Sequence, residues 1–332
     1  MTAARCEPQT ARAVLMVRPA LFGTNQETAG SNFFQRTAEG SDIARRAQQE
    51  FDALALALAG AGVRVHQFAG DRTAALPDEV FPNNWLSLHA DGTAVLYPLL
   101  APVRRRERRQ DILAALGNYS LRCATDGDPV GAAAACGYRI DRVVDLTHLE
   151  ARGEYLEGTG SLVLDRARRV AYACLSPRTH VAALAAFASA LGYETLPFRA
   201  VDSAGRAIYH TNVMLAIGTR FAALCAAAIV DAAERNAILG RLEASGREII
   251  ELSQREMESF AANMLELDGT RGPVIALSLA ALRSLAAPTR RALERHGALV
   301  AVDVATIEHV GGGSVRCMLA EVALPERQFE GD

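Results

Sequence analysis

Residues 160–191, GSLVLDRARRVAYACLSPRTHVAALAAFASAL, decide the fold. Two apolar runs, Gly160–Leu164 and Arg169–Cys174, flank the short polar turn Asp165–Arg168, and they predict two strands joined by that turn. The run Arg178–Leu191 then repeats apolar residues at helical spacing. The stretch therefore predicts a strand–strand–helix unit.

A second stretch, residues 209–245, follows the same plan. The predicted strands Asn212–Ile217 and Phe221–Cys225 flank the turn Gly218–Arg220 and precede the predicted helix Asp231–Ser245. Both stretches begin with a polar cluster. Although the two copies share little sequence identity, their common order of elements predicts a structural repeat of ββαβ units.

Strand-like and helical runs alternate over the rest of the chain. Further strands are predicted at Val14–Arg18, Val63–Phe68, Thr93–Leu99, Arg142–Leu146, Glu248–Leu252, Val274–Leu277, Leu299–Val302 and Cys317–Val322. Further helices are predicted at Asp42–Ala59, Arg104–Leu116 and Leu279–His296. Because no Pro/Ser-rich linker divides the chain, residues 1–332 are predicted to form a single α/β domain, with about 1–12 as a flexible N-terminal segment.

Composition excludes several kinds of chemistry and several classes of protein. All 35 Lys+Arg positions are arginine, so the chain has no lysine amine for Schiff-base chemistry or for a phosphate-binding loop ending G-K-[ST]. A net charge of -3 argues against a nucleic-acid partner. No apolar run reaches the ~18 residues of a membrane span. No zinc-type His/Cys spacing and no dinucleotide-binding loop is present, so we expect neither a metal nor an organic cofactor.

The cysteines indicate the compartment. Six are present and none form a C-x-x-C pair, while four lie in apolar or Ala-rich contexts that are typical of buried residues. The N-terminus also lacks the charged-then-apolar pattern of a signal peptide. We therefore expect a cytoplasmic protein without disulfides. The sequence leaves the oligomeric state open, a homo-oligomer included.

A glycine-rich stretch near the C-terminus, residues 311–317 (GGGSVRC), is a candidate nucleophile loop. Three glycines let the backbone approach a ligand closely, and Cys317 at the end of the loop can be presented to a cleft. Cysteine is the most nucleophilic of the remaining side chains once its thiolate is stabilised. A glycine turn followed by a buried cysteine is the alternative interpretation.

Three further stretches carry candidate functional groups. His210 comes directly before a predicted apolar strand, and a histidine can protonate a leaving group and then activate water. Glu157 is followed by small residues, so its carboxylate can face a substrate. Residues 77–85, PDEVFPNNW, set two asparagines beside the only tryptophan. Taken singly, each stretch has a simpler explanation as a structural histidine or an ordinary turn.

Taken together, Glu157, His210 and the loop of Cys317 resemble the motifs of the guanidine-modifying superfamily, which comprises arginine deiminases, dimethylarginine hydrolases and amidinotransferases. Their order along the chain is also that of the superfamily. The resemblance covers most of the chain and implies a five-bladed β/α propeller (pentein) of ββαβ units around a central active site. It further implies Cys317 as nucleophile, His210 as acid and base, and Glu157 as the group that binds substrate N–H or orients His210, without a metal.

The resemblance also implies where an amino-acid substrate binds. Arg104 falls where dimethylarginine hydrolases carry an arginine for the substrate carboxylate, and Arg178 resembles a second one, because a guanidinium can hold a carboxylate through two parallel hydrogen bonds. Asp78 suits the α-ammonium group. Asn83 and Arg18 lie in motifs shared with the superfamily and are further candidate substrate contacts.

Two positions depart from the arginine deiminases. At the positions of Asn84 and Asn212 those enzymes carry aspartates, which pair with the guanidinium cation. An amide offers an acceptor and donors without a charge, and this suits a neutral ureido group. Because losing the partner of a buried charge costs roughly 3–5 kcal/mol, arginine is expected to be a poor substrate.

The motifs resemble most closely those of the citrulline-utilising hydrolases, or citrulline ureidases. The shared residues are the start Met16–Pro19, Phe22-x-x-Asn25, the run FPNNW and the loop GGGSVRCM. This resemblance implies hydrolysis of citrulline to ornithine, ammonia and carbon dioxide through a covalent cysteine intermediate. The alternatives are a deiminase or dihydrolase acting on arginine or another guanidine, an amidinotransferase, and a non-catalytic amino-acid-binding relic of the fold.

Overall fold

The computed structural model describes residues 7–37, 42–118 and 137–327. Its strands form five small sheets of three strands each, all with one plan. The middle strand pairs antiparallel with one neighbour and parallel with the other. An antiparallel pair needs only a short turn, whereas a parallel pair needs a longer crossover, which helices supply here. Four sheets are therefore consecutive ββαβ units, in agreement with the predicted repeat.

The strands, in chain order, are β1 (Ala13–Arg18), β2 (Arg64–Ala69), β3 (Leu86–Leu88), β4 (Thr93–Leu96), β5 (Arg142–Asp145), β6 (Leu162–Asp165), β7 (Val170–Cys174), β8 (Glu194–Phe198), β9 (Leu215–Ile217), β10 (Phe221–Leu224), β11 (Glu248–Glu251), β12 (Leu265–Gly269), β13 (Gly272–Ser278), β14 (Ala298–Val302) and β15 (Ala320–Glu321). The α-helices among the described residues are α1 (Ile43–Gly60), α2 (Pro102–Arg105), α3 (Gln110–Asn118), α4 (Gly158–Ser161), α5 (Val181–Leu191), α6 (Ala232–Ala244), α7 (Gln254–Glu258), α8 (Leu279–Ser284), α9 (Ala287–Glu294) and α10 (Ala305–Gly311).

The stretch that decides the fold forms β6, β7 and α5. Its turn closes because the Asp165 carboxylate accepts the backbone N–H of Arg168 at 3.1 Å. Leu162 then lies opposite Ala173 in the antiparallel ladder. Helix α5 buries its apolar face and ends at Gly192, whose left-handed conformation (φ 69°) suits a helix C-terminus.

The fifth sheet joins the two ends of the chain. β15 pairs antiparallel with β1, with Val14 opposite Glu321, and β1 pairs parallel with β2. The first and last strands therefore belong to one sheet, although more than 300 residues separate them in the sequence.

Three predicted strands begin later than the apolar pattern indicates. The runs that start at Gly160, Asn212 and Cys317 open with short helical turns, and their strands begin only at Leu162, Leu215 and Ala320. The turns before β9 and β15 are the 3-10 segments Thr211–Val213 and Val315–Met318. A fourth such turn, Pro82–Asn84, precedes β3. The candidate functional residues thus sit on helical turns rather than on strands.

Two predicted helices are each divided. The run Arg104–Leu116 breaks after α2 because Arg105 donates to the carbonyls of Leu99 and Leu100, and these contacts hold the segment against the preceding loop. The run Leu279–His296 breaks before α9 because Pro288 has no backbone N–H for a helix interior. The short strands β3, β8 and β12 are present but were not predicted.

The start of the chain differs in part from the predicted flexible segment at about 1–12. Residues 1–6 lie outside the described part. Glu7 is buried, and its carboxylate pairs with Arg166 at 2.7 Å. This ion pair holds residues 7–12 against the protein.

Three cysteines lie in the described part, Cys174, Cys225 and Cys317, and all three are buried free thiols. Cys6, Cys123 and Cys136 lie outside it. In residues 7–37, 42–118 and 137–327, no helix is long and apolar enough to cross a membrane. Within the same ranges, no three His, Cys, Asp or Glu side chains are grouped so that they could hold a metal ion.

Candidate active site

The helical turns that precede the strands converge on one small cavity. Its volume is about 10 Å³, close to the smallest that holds a water molecule. Cys317 lies on the turn Val315–Met318, His210 comes directly before Thr211–Val213, and Asn84 ends Pro82–Asn84. The lining residues are Asn32, Asp78, Phe81, Asn84, Arg104, Arg178, Tyr209, His210, Gly311, Gly312, Gly313 and Cys317.

Two glycines permit this convergence. Gly158 has φ 48°, and a Cβ there would lie 2.1 Å from the carbonyl oxygen of Asn83. A Cβ on Gly160 would lie 2.6 Å from both Asn84 Nδ2 and His210 Nδ1. Since Cβ atoms do not approach other atoms this closely, only glycine fits at both positions. The small residues after Glu157 therefore let the asparagine turn and the histidine turn meet.

Glu157 and His210 form a buried pair at the centre of the site. His210 Nε2 lies 2.9 Å from Glu157 Oε2. Burial lowers the pKa of His210 to about 4, although Glu157 opposes the shift. Burial opposes ionisation of Glu157, but Arg178 and His210 outweigh it, and the pKa of Glu157 lies well below its usual range. At neutral pH, His210 is therefore a neutral imidazole that faces a carboxylate.

The sulfur of Cys317 faces two amide groups. Asn212 Nδ2 lies 3.5 Å from Cys317 Sγ, and Asn263 Nδ2 lies 3.3 Å from it. Asn212 is one of the predicted site residues, whereas Asn263 is not. Both asparagines are buried. The thiol therefore sits among neutral hydrogen-bond donors.

Arg104 lies in the cavity wall, but its fork faces another protein side chain. Its Nε and Nη2 bind the two carboxylate oxygens of Glu107 at 3.0 and 2.9 Å. Its Nη1 donates to Asn84 Oδ1 at 2.8 Å. Arg104 therefore joins Asn84 to Glu107, and its predicted contact with a substrate carboxylate stays a prediction. Its partner Glu107 was not predicted.

Arg178 presents its fork to a neutral hydroxyl. Its Nε and Nη2 lie 3.1 and 2.8 Å from Ser31 Oγ, and its Nη1 lies 3.3 Å from Glu157 Oε2. A carboxylate binds a guanidinium fork more strongly than a hydroxyl does. This arginine therefore keeps the geometry predicted for carboxylate binding.

Two of the other predicted residues also lie at the site. Asp78 accepts a hydrogen bond from Asn25 at 2.7 Å and lies 3.6 Å from Arg104, and burial raises its pKa. Asn83 is buried, and its Oδ1 accepts from Asn84 Nδ2 at 3.1 Å. Arg18 does not belong to the site, because its guanidinium forms an ion pair with Asp52 and 39% of its side chain is exposed.

Three side chains of residues 25–32 contact residues of the site, and only Asn25 among them lay in a motif quoted from the sequence. Asn25 binds Asp78, and Ser31 binds Arg178. Asn32 donates to the carbonyls of Gly311 and Gly312, both at 3.2 Å. These polar contacts hold the segment against the site itself.

The arrangement holds a buried thiol, a neutral imidazole oriented by a carboxylate, and amide donors. These groups suffice for nucleophilic attack by sulfur and for proton transfer to a leaving group. A family model described as N,N dimethylarginine dimethylhydrolase, eukaryotic, matches residues 18–324. The chain belongs to this family. It is accordingly a cysteine-dependent hydrolase of the pentein superfamily of guanidine-modifying enzymes.

Solved structures show that the fold of this dimethylarginine dimethylhydrolase family member recurs in other proteins. The N-terminal domain of ArgZ, an arginine dihydrolase from the ornithine-ammonia cycle in cyanobacteria, is 17% identical with a TM-score of 0.70, over 94% of this chain and 98% of that domain. AgrE, solved with L-arginine, is 18% identical with a TM-score of 0.70, over 95% and 41%. A dimethylarginine dimethylaminohydrolase adduct is 17% identical with a TM-score of 0.57, over 93% and 99%. No curated protein matches the sequence.

Proposed function

We propose that this family member hydrolyses the ureido group of citrulline and forms ornithine, ammonia and carbon dioxide. The observation that carries the proposal is the orientation of Asn84. Arginine side chains only donate hydrogen bonds, so Arg104 fixes Oδ1 of Asn84 on its own side. The amide nitrogen donates one N–H to Asn83 Oδ1 and keeps the other, which suits the oxygen of a ureido group. A guanidinium has no acceptor for that donor.

Asn212 supplies the complementary group. Its Nδ2 faces Cys317, and its Oδ1 is buried without a hydrogen-bond partner among the described residues. A buried acceptor without a partner costs about 1–3 kcal/mol, which a ligand can recover. A substrate N–H directed at Asn212 Oδ1 would satisfy it. Donor and acceptor amides together match the ureido group, which carries both kinds of atom.

The amino-acid end is assigned to Arg178 and Asp78. The cavity is too small for citrulline as it stands, so the substrate must displace Ser31 from the Arg178 fork. The substrate carboxylate then takes the place of the hydroxyl. One oxygen of Asp78, Oδ1, is buried without a partner in the described part of the chain and suits the α-ammonium group.

Each chemical step has a group in place. His210, neutral at rest, accepts the thiol proton of Cys317 as sulfur attacks the ureido carbon. Asn84 stabilises the oxyanion that forms. His210 then gives the proton to the departing nitrogen, the C–N bond breaks, and the carbonyl carbon remains on sulfur. In the second half His210 takes a proton from water, which attacks that carbon; the C–S bond breaks and Cys317 takes the proton back. The carbamic acid released still carries the second nitrogen, and its loss of carbon dioxide frees that nitrogen as the second amine product.

We also propose that the five sheets close into a five-bladed propeller around this site. Contacts between neighbouring units support it, because β3 contacts β15, β6 contacts β9, and β9 contacts β12. Arg166, after β6, donates to the carbonyl of Leu88 in β3, and Asp268 in β12 donates its backbone N–H to Ala11, before β1. Truncation before Ala320 removes β15 and should lower the melting temperature of the whole domain. An unchanged melting temperature would contradict closure.

Arginine is the second candidate substrate. The observation that favours it is the fold shared with ArgZ and AgrE, because ArgZ is described as an arginine dihydrolase and AgrE was solved with L-arginine. The anionic groups Glu157 and Asp78 near the cavity also suit a cationic substrate.

Assays with citrulline and arginine, side by side, test the proposal. Ornithine and ammonia are measured for both substrates over matched concentrations. We expect citrulline to have the higher kcat/KM. Faster turnover of arginine would replace the ureido hydrolase with an arginine dihydrolase or deiminase. Added glycine or ornithine tests whether an amine can replace water as the acceptor.

A further inference from the structure

Asn263 occupies a repeated position in the fold. In all five units a turn precedes the strand that pairs antiparallel with the middle strand of the sheet, and a triplet ending in leucine leads out of that turn. The triplets are Asn84-Trp85-Leu86, Gly160-Ser161-Leu162, Val213-Met214-Leu215, Asn263-Met264-Leu265 and Cys317-Met318-Leu319. The first residue of each triplet donates its backbone N–H to the carbonyl three residues before it, in Phe81, Glu157, His210, Phe260 and Ser314 respectively. Asn263 is thus the repeat counterpart of Asn84 and of the nucleophile itself.

The side chain of Asn263 is directed at the reacting atom. It is fully buried, and its Nδ2 lies 3.3 Å from Cys317 Sγ and 3.2 Å from the backbone oxygen of Asn212. The second contact fixes the direction of the amide. A left-handed backbone at Phe260 (φ 60°) ends the preceding loop and helps to bring Asn263 under the sulfur.

The sulfur needs such donors because nothing cationic is hydrogen-bonded to it. In the described part of the chain, the hydrogen bonds of Cys317 Sγ are with Asn212 and Asn263. His210 is a neutral imidazole at pH 7, so it forms no imidazolium–thiolate pair at rest. A ureido substrate is neutral too and brings no positive charge. Besides the electrostatic interaction with Arg316, the N–H donors of the two asparagines are the groups in hydrogen-bond contact that can stabilise a thiolate.

We propose that Asn263 is a catalytic residue that stabilises the Cys317 thiolate. The role rests on the proposed function only in taking Cys317 as the nucleophile, and it is independent of the choice between citrulline and arginine. Asn212 and Asn263, from two different units of the fold, donate to the sulfur, whereas Asn84 donates to the oxygen of the substrate. Three repeat-related positions thus carry the nucleophile, its stabiliser and the oxyanion donor.

Alkylation of Cys317 by iodoacetamide measures the thiolate without any substrate. The rate is followed from about pH 6 to pH 10 by mass spectrometry of the tryptic peptide 317–327, which cleavage after Arg316 and Arg327 releases. Other charged or titratable groups also face the site and stay unchanged in every variant. They are Asp78, Arg104, Glu157, Arg178, Tyr209, His210 and Arg316.

Asn263→Leu removes both N–H donors at similar volume, and Asn263→Asp keeps the shape but adds a negative charge. We expect alkylation at pH 7 to slow about tenfold in the first variant and further in the second, because less thiolate is present. Near pH 10 the rates should approach that of the unchanged protein. Met264→Leu, in the same buried loop but without a contact to sulfur, is the matched control and should keep the original rate.

The peptide 170–178 carries Cys174 and reports the integrity of the fold in the same digest. Burial raises the pKa of Cys174 to about 12, so its alkylation stays slow unless the protein loosens. If Cys174 is alkylated faster in Asn263→Leu, that variant has lost its fold, and the test is then made with the isosteric Asn263→Asp alone. Equal or faster alkylation of Cys317 at pH 7 in Asn263→Asp would overturn the proposal. Failure of citrulline turnover would overturn the proposed substrate and leave this result untouched.

Discussion

Two buried clusters of charge in this molecule differ in how their arginines are paired. On the side of the chain's N-terminal segment, Arg247 binds both oxygens of Asp165 at 2.6 and 3.1 Å, and Arg166 lies between Glu7 and Glu321. In the active site Arg104 is paired with Glu107 in the same way, but Arg178 meets a carboxylate only through Nη1, 3.3 Å from Glu157, while its Nε and Nη2 face the hydroxyl of Ser31.

The difference separates stability from function. A buried guanidinium that is paired with a carboxylate is internally compensated, and removing one partner is strongly destabilising. A buried guanidinium whose fork meets only a neutral group retains binding capacity for an anion. The unpartnered oxygens of Asn212 and Asp78 lie in the same cluster as Arg178. Polar groups whose hydrogen-bonding capacity is not filled by the protein therefore indicate where a ligand binds.

The largest effect should come from Cys317→Ser. The hydroxyl is a much weaker nucleophile than the thiolate, so release of ornithine and ammonia from citrulline should fall by more than about 10³-fold. The melting temperature should stay the same, because Cys317 contributes no ion pair and the substitution is nearly isosteric. Retained turnover in the variant would show that Cys317 is not the nucleophile and would contradict the active-site assignment.

Matched substitutions of the two arginines test the comparison directly. Arg247→Met leaves the buried Asp165 with only the half-exposed Arg168, 3.7 Å away, as its cationic partner. The free energy of unfolding should therefore fall by up to roughly 3–5 kcal/mol, while kcat/KM of the remaining folded enzyme is kept. Arg178→Met should instead lower kcat/KM for citrulline by about 30-fold or more, because the substrate carboxylate loses its partner. Arg104 and His210 still face Glu157 in that variant, which limits the loss of stability.

Denaturant unfolding and steady-state kinetics on both variants separate these outcomes. Butylurea, a ureido compound without the amino-acid end, is the control substrate. Because it has no carboxylate for Arg178, its slow turnover should be the same in Arg178→Met as in the unchanged enzyme. If Arg247→Met lost activity while Arg178→Met lost only stability, the assignment of the two clusters would be reversed.

Asn84→Asp should change selectivity by a smaller factor. The new carboxylate would pair with Arg104, which lies 2.8 Å from the present Oδ1, and the N–H₂ donor for the ureido oxygen would be lost. Losing one hydrogen bond to a charged oxygen corresponds to roughly tenfold in rate. We therefore expect the ratio of kcat/KM for arginine to that for citrulline to rise about tenfold or more. An unchanged ratio would show that Asn84 does not read the substrate oxygen.

The sequence predicted the chemistry of the site better than its geometry. Glu157, His210 and Cys317 stand in short motifs, and the resemblance of these motifs, taken together, to the guanidine-modifying superfamily singled them out. The contact between Asn263 and Cys317 joins residues 54 positions apart, and no local pattern encodes it. The shared asparagine- or cysteine-apolar-leucine triplets did contain a signal, which becomes visible only when the repeat units are aligned on their turns.

The errors in the fold have a related physical origin. Apolar periodicity reports burial, and the turn Val315–Met318 is as buried as a strand, so Cys317 was placed in a strand that begins only at Ala320. The pairing of the Arg104 fork with Glu107, three residues later across a helix end, was not predicted either. Periodicity did locate all five helical crossovers, although it joined α2 to α3 and α8 to α9.

The pH dependence is the mildest test of the functional cluster. Since burial lowers the pKa of His210 to about 4, from an ordinary value near 6.5, the imidazole stays neutral in the folded protein over that window. The unfolded chain binds a proton there and the folded protein does not, so stability should decrease as pH falls from about 6.5 to about 4. The pKa of Glu157 is also depressed, and its contribution is lost in the same direction at lower pH. In denaturant unfolding, His210→Gln should reduce the loss of stability between about pH 6.5 and pH 4.

In the unchanged enzyme kcat/KM should decrease only near pH 4 on the acidic side, because His210 must be neutral to accept the thiol proton. A decrease of kcat/KM near pH 6.5 instead would mean that water contacts His210 when the substrate binds. The proton would then be transferred in a more open state than the closed cavity.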